Sequence, residues 1–141
     1  VDLFAVTPSG RACVIELKAA RGSDTPLKAL LEGLAYAAIA QANLASIRQE
    51  VQECYDLEIT SDFPEVTVVA PEAYWKKFRD NPAAGDWESS LQDLADRIQD
   101  SVGVSVSFVA LSNTSFSYGL SGTRPSLDST IACAFALRKG S

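Results

Sequence analysis

Histidine is missing from this 141-residue chain, and so is methionine. Without histidine, a His-based zinc site, a Ser-His-Asp triad and a Cys-His dyad are excluded within the chain. Catalysis would fall to carboxylates, lysine, hydroxyls or a hard cation such as magnesium. Cysteine is scarce: Cys13, Cys54 and Cys133 are far apart and odd in number. That argues against a disulfide framework, for small core side chains, and for a reducing, cytoplasmic setting. No apolar run reaches the roughly 18 residues that cross a bilayer. The stretch from Leu30 to Ala42 comes nearest and is interrupted by Glu32, Gly33, Tyr36 and Gln41. No signal-peptide pattern opens the chain, and no membrane partner is expected. A basic surplus is absent too, the net charge being −6. Proteins that bind nucleic acid by counterion release usually show a basic surface, so the global charge counts against such a partner. The lack of methionine and a start inside the apolar "VDLFAV" lead us to expect an upstream segment, and the final Gly140-Ser141 reads as a cloning scar.

What remains is an ordinary globular composition, 47% hydrophobic and 21% charged, of a length suited to one domain with a real core over 1–141. Residues 1–6 and 11–18 read as two strands joined by a turn. Pro8 suits the first central position of that turn, and Gly10 the left-handed position closing a three-residue hairpin loop. Thr7 then pairs with Arg11, Phe4 faces Val14, and Asp2 faces Glu16. Thr25 is an N-cap and Pro26 a first helical residue for a long helix expected to run to about Glu53. Its expected buried stripe is Leu27, Leu30, Leu31, Leu34 and Ala38, with Lys28, Glu32 and Tyr36 on the next stripe. Val66 to Ala70 reads as a central strand and 71–78 as a short helix. Asp86 caps a helix to about Ser101, and Val104 to Leu111 is a strand with one exposed face. A Ser/Gly-rich loop over 113–129, either a substrate lid or merely mobile, precedes a last strand over 129–137. This order predicts an α/β fold, a mixed central β-sheet flanked by helices.

The stretch "VIELK" (14–18) raises the chemical question. Alternate residues of a strand share a face, so Glu16 and Lys18 stand together while Ile15 and Leu17 take the other side. With Asp2 opposite Glu16, two carboxylates meet across the hairpin, an arrangement that is unfavourable unless something holds it. A hard divalent cation would do so, with Asp2, Glu16 and the Leu17 carbonyl as ligands. Lys18 would hold or deprotonate an attacking water, or stabilise charge on phosphoryl oxygens.

Asp2, the hairpin and Glu16-Leu17-Lys18, followed by a helix and an apolar strand, resemble the core of the PD-(D/E)XK nuclease superfamily. The resemblance covers residues 1–71, leaving 72–141 as a C-terminal helix and strands. It departs from the family pattern in lacking the first helix and strand, and in having Val1 where proline often precedes the aspartate. Several branches carry Gln-x-x-x-Tyr on the helix; here Glu32 and Tyr36 take those positions. The resemblance implies a restriction-endonuclease-like core and a metal-dependent nuclease hydrolysing phosphodiester bonds of DNA or RNA. It implies Mg2+ or Mn2+ held by Asp2, Glu16 and Leu17, with Lys18 catalytic. The expected partner is nucleic acid, above all DNA, with a homodimer or an additional domain supplying further contacts. Arg11, Arg21 and Lys28 form a candidate basic rim for phosphates, against the plainer reading of solvated surface charge. Tyr74, Trp75 and Phe78 read as aromatic packing rather than a base-stacking platform. Two other readings stay open: a non-catalytic module binding nucleic acid or protein on the same fold, and an unrelated α/β enzyme.

Overall fold

The computed structural model describes residues 2–111, together with the backbone of 116–117, 126–127 and 132–134. Two strands open the chain, β1 (Leu3–Val6) and β2 (Ala12–Leu17). Helices α1 (Pro26–Ala42) and α2 (Leu44–Tyr55) lead to β3 (Glu65–Pro71). Helix α3 (Glu72–Arg79), a 3-10 turn (Pro82–Ala84) and α4 (Trp87–Val102) lead to β4 (Ser105–Leu111). Three short pieces follow: β5 (Phe116–Ser117), β6 (Ser126–Leu127) and β7 (Ala132–Ala134).

The chain is α/β with a mixed sheet ordered β1-β2-β3-β4-β7. The β1–β2 hairpin is antiparallel, β3 is parallel to both β2 and β4, and β7 is antiparallel to β4. The hairpin forms in the register expected from its turn. Leu3 faces Ile15 and Phe4 faces Val14, which sets Asp2 opposite Glu16. The Thr7 and Gly10 amides donate to the Arg11 and Thr7 carbonyls, each at 2.9 Å. Gly10 has φ 73°, where a side chain would be strained and would strike Thr60.

The helices among the described residues lie on one face of the sheet. Ala12, Val14, Val66, Val68, Ala70 and Phe108 point into that layer and are buried. They meet Ala29, Leu30, Ala37 and Ala40 of α1, Leu44 and Val51 of α2, Tyr74 and Trp75 of α3, and Leu91 and Ala95 of α4. Tyr74 and Trp75 are fully buried and pack edge to face, so the aromatic cluster is core. The other sheet face carries a polar ladder. Cys13, Thr67 and Ser107 touch across β2, β3 and β4 at 3.5 and 2.9 Å.

Three expectations need correction. The long helix breaks at Asn43, where the chain turns by 82° into α2. Asn43 leaves helical geometry (φ −111°, ψ 13°), and its side-chain amide donates back to the Ile39 carbonyl at 2.8 Å. This local bond competes with helix continuation, as short amide side chains do. The buried stripe of α1 is also different: Pro26, Ala29, Leu30, Gly33, Ala37 and Ala40 are buried, while Leu27, Leu31 and Ala38 are exposed. Small residues win the inner face because α1 lies very close to β3; a Cβ on Gly33 would stand 2.6 Å from a Val66 methyl. Finally, Cys13 is buried but Cys54 is exposed. The expected loop over 113–129 and most of the strand over 129–137 lie outside the described residues. No helix among the described residues is by itself long and apolar enough to cross a membrane.

Candidate active site at the end of strand β2

Glu16 is the last inward-facing residue of β2 and is pressed under α1. Gly33 of α1 lies over it: a Cβ there would make ordinary contact with the Glu16 Cβ at 3.8 Å. Only two acidic residues among those described are buried, Glu16 and Glu88. Glu88 ties α4 to Arg79 of α3. Glu16 has Lys18, whose Nζ lies 2.9 Å from its Oε1, with both side chains about nine-tenths buried. Burying an unpaired carboxylate would cost several kcal/mol, so the pairing is what makes the position tolerable.

Two more carboxylates close on Lys18. Glu32 reaches in from α1 at 2.6 Å, and Asp24 from the loop before α1 at 3.2 Å. Burial pulls Lys18 towards its neutral form, but hydrogen bonds to Glu32, Glu16 and Asp24 outweigh this and raise its pKa above the ordinary lysine value. Lys28 forms the outer edge. Its Nζ lies 2.5 Å from Asp24 Oδ1 and 3.5 Å from Glu32 Oε1. Lys28, then Lys18, hold the Asp24 carboxyl below the usual range, and Lys18 does so foremost for Glu32.

Asp2 joins from the edge strand, its Oδ2 accepting the Leu17 amide proton at 2.8 Å. This bond fixes the carboxylate against β2 beside the Glu16 position. Three carboxylates, Glu16, Asp24 and Glu32, thus gather round two ammonium groups, a surplus of one negative charge, and Asp2 stands apart on the Leu17 amide. Among the described residues, no group of three or more His, Cys, Asp or Glu side chains is arranged to hold a metal. The hairpin offers less than that: two carboxylates and the Leu17 carbonyl. Such a donor set fits magnesium, which binds through one or two carboxylates and keeps several waters, and does not make a closed cage.

The other sequence candidates scatter. Tyr36 is one turn beyond Glu32 on α1 and lines a groove with Phe4, Val14 and Ile39, next along β2 from Glu16. Arg21 is exposed in the loop that carries Asp24. Arg11 stands at the far end of β2, about 23 Å from Lys18 by strand rise, and the fold does not bring it to the cluster. Asp24 is the residue that sequence reasoning missed. Its signal was present: Asp24, Lys28 and Glu32 recur at fourfold spacing with alternating charge, just ahead of the Thr25 cap. Family models, curated proteins and solved structures were all compared with the chain, and none matches.

Proposed function

We propose that the protein is a metal-dependent nuclease hydrolysing phosphodiester bonds of DNA or RNA, on a restriction-endonuclease-like core. The observation that carries this reading is the hairpin register. It sets Asp2 opposite Glu16 while Lys18, two residues on, closes onto Glu16. Asp2, Glu16 and the Leu17 carbonyl would hold Mg2+ or Mn2+. When bound, the ion supplies Lewis acidity at the phosphoryl group and a more acidic water. Lys18 acts as a fixed positive charge on the phosphoryl oxygens, because its carboxylate shell favours the ammonium form. Glu32 holds that ammonium in place. Water attacks phosphorus, the bond to the leaving oxygen breaks, and the water proton passes to solvent rather than to Lys18. Arg21, Lys28 and Tyr36 would contact the nucleic-acid strand.

A second reading rests on one observation, the net charge of −6. It is a non-catalytic module that keeps the fold and binds a nucleic acid or a protein. Incubation with labelled single- and double-stranded DNA and RNA separates the two. The nuclease reading expects cleavage with magnesium or manganese, none with chelator, and loss on Lys18→Ala. Intact substrates throughout, with a folded protein, favour the binding module.

A further inference from the structure

The pairing of Lys18 and Lys28 has an unusual form. Asp24 bridges them: its Oδ2 meets Lys18 and its Oδ1 meets Lys28. Glu32 bridges them a second time, Oε2 to Lys18 and Oε1 to Lys28. The four side chains make a ring of alternating charge at the mouth of the site. Its two carboxylates are not equivalent. Glu32 is Lys18's shortest contact, and Glu16 holds the same ammonium from below. Asp24 is Lys18's longest contact but Lys28's shortest, and it comes from a loop rather than from a helix or strand.

That loop is held by its backbone. The Tyr74 hydroxyl donates to the Asp24 carbonyl at 3.0 Å, and Lys77 Nζ donates to the Gly22 carbonyl at 3.0 Å. Tyr74 is fully buried in the core. The Asp24 main chain is therefore fixed, while its carboxylate is about one-third exposed at the outer edge of the cluster. An anionic group that spans two ammonium ions with two oxygens is also what a phosphodiester presents.

We propose that Asp24 is a stand-in for the substrate phosphate: its carboxylate fills the position between Lys18 and Lys28 that a phosphodiester takes on binding. The inference rests on the nuclease reading for the identity of the anion. It makes Lys28 and Lys18 one phosphate subsite and Asp24 the internal competitor that sets its strength. Only an anion that outcompetes a tethered carboxylate then binds.

The test reads binding alone, with chelator present so that no cleavage occurs. A short fluorescent single-stranded oligodeoxynucleotide is titrated with the full chain at fixed low salt. Asp24→Asn removes the competing charge and should tighten binding at least about threefold, since an occupied site lowers apparent affinity by the fraction open. Asp100→Asn, an exposed acid on α4, controls for a general loss of negative charge and should change binding less. Adding Lys28→Gln to Asp24→Asn should abolish the gain. If the Asp24→Asn variant does not fold, Asp24→Ser is read in the same way. Unchanged or weaker binding by the folded Asp24 variant, or a gain no larger than that of Asp100→Asn, overturns the inference. A protein that cleaves nucleic acid yet shows that result keeps the nuclease reading. One that never cleaves but shows the Asp24-specific gain loses the nuclease reading and keeps the subsite.

Discussion

Lys18 is the residue on which most of the site's electrostatics converge. Three carboxylates share its ammonium, and Glu16 is left buried if that ammonium is removed. Lys18→Met should therefore destabilise the fold by about 3 kcal/mol, the usual cost of stranding a buried charge. The double variant Glu16→Gln/Lys18→Met should recover most of this, since a neutral pair leaves nothing uncompensated; urea unfolding of both decides it. An equal loss in the double variant would mean that packing, not charge, is what Lys18 supplies. Lys18→Arg keeps the charge but replaces a compact point with a planar fork, so cleavage should fall without vanishing. Asp24 gives a pH test. Its folded pKa lies below its ordinary value of 3.8, with Lys28 the leading cause. Its stabilising contribution is thus present above the unfolded value and is lost as pH falls through the folded one. A carboxyl NMR titration should place Asp24 below 3.8 in the wild type and move it upward in Lys28→Met. No upward movement would remove Lys28 as the cause.

At the scale of elements, the hairpin and α1 make the site, and they differ in how far the sequence announces them. The hairpin was legible because turn chemistry fixes register. Pro8 and Gly10 leave one three-residue loop, and that loop dictates Phe4 against Val14. Glu16 and Lys18 then follow from strand alternation alone. Helix α1 was legible in its start, where Thr25 accepts the Lys28 amide proton as an N-cap, but not in its rotation. Leucines outnumber glycine in any hydrophobic count, so periodicity assigned the inner face to Leu27 and Leu31. Close approach to Val66 decides otherwise, and that distance is a tertiary fact. The break at Asn43 was hidden for a related reason, because apolar residues run on either side of it. Gly33→Ala tests the close approach. Helix propensity alone would gain about 1 kcal/mol. The collision with Val66 should reverse the sign and destabilise by about 1–3 kcal/mol, as overpacking does. A stabilised variant would mean that α1 does not lie so near the sheet.

Across the whole molecule, helices cover one sheet face and the charged cluster sits where β2 ends beneath α1, beside the edge strand that brings Asp2. The surplus of one negative charge in that cluster, with the Asp2 carboxylate on the neighbouring strand, should make the fold sensitive to divalent cations. A ligand that binds only the folded state, at one hundred times its dissociation constant, stabilises by about 2.7 kcal/mol. For a domain of this size, magnesium or manganese at such a concentration should raise Tm by roughly 5–10 °C. The cation between Asp2 and Glu16 is the claim from which the rest of the proposed chemistry follows. Calorimetric titration of manganese into the wild type and into Glu16→Gln tests it most directly, since glutamine keeps the shape and removes the charge. The wild type should bind one ion in the millimolar to micromolar range, and binding should be lost or greatly weakened in Glu16→Gln. No binding by the folded wild type, or equal binding by both proteins, would contradict it.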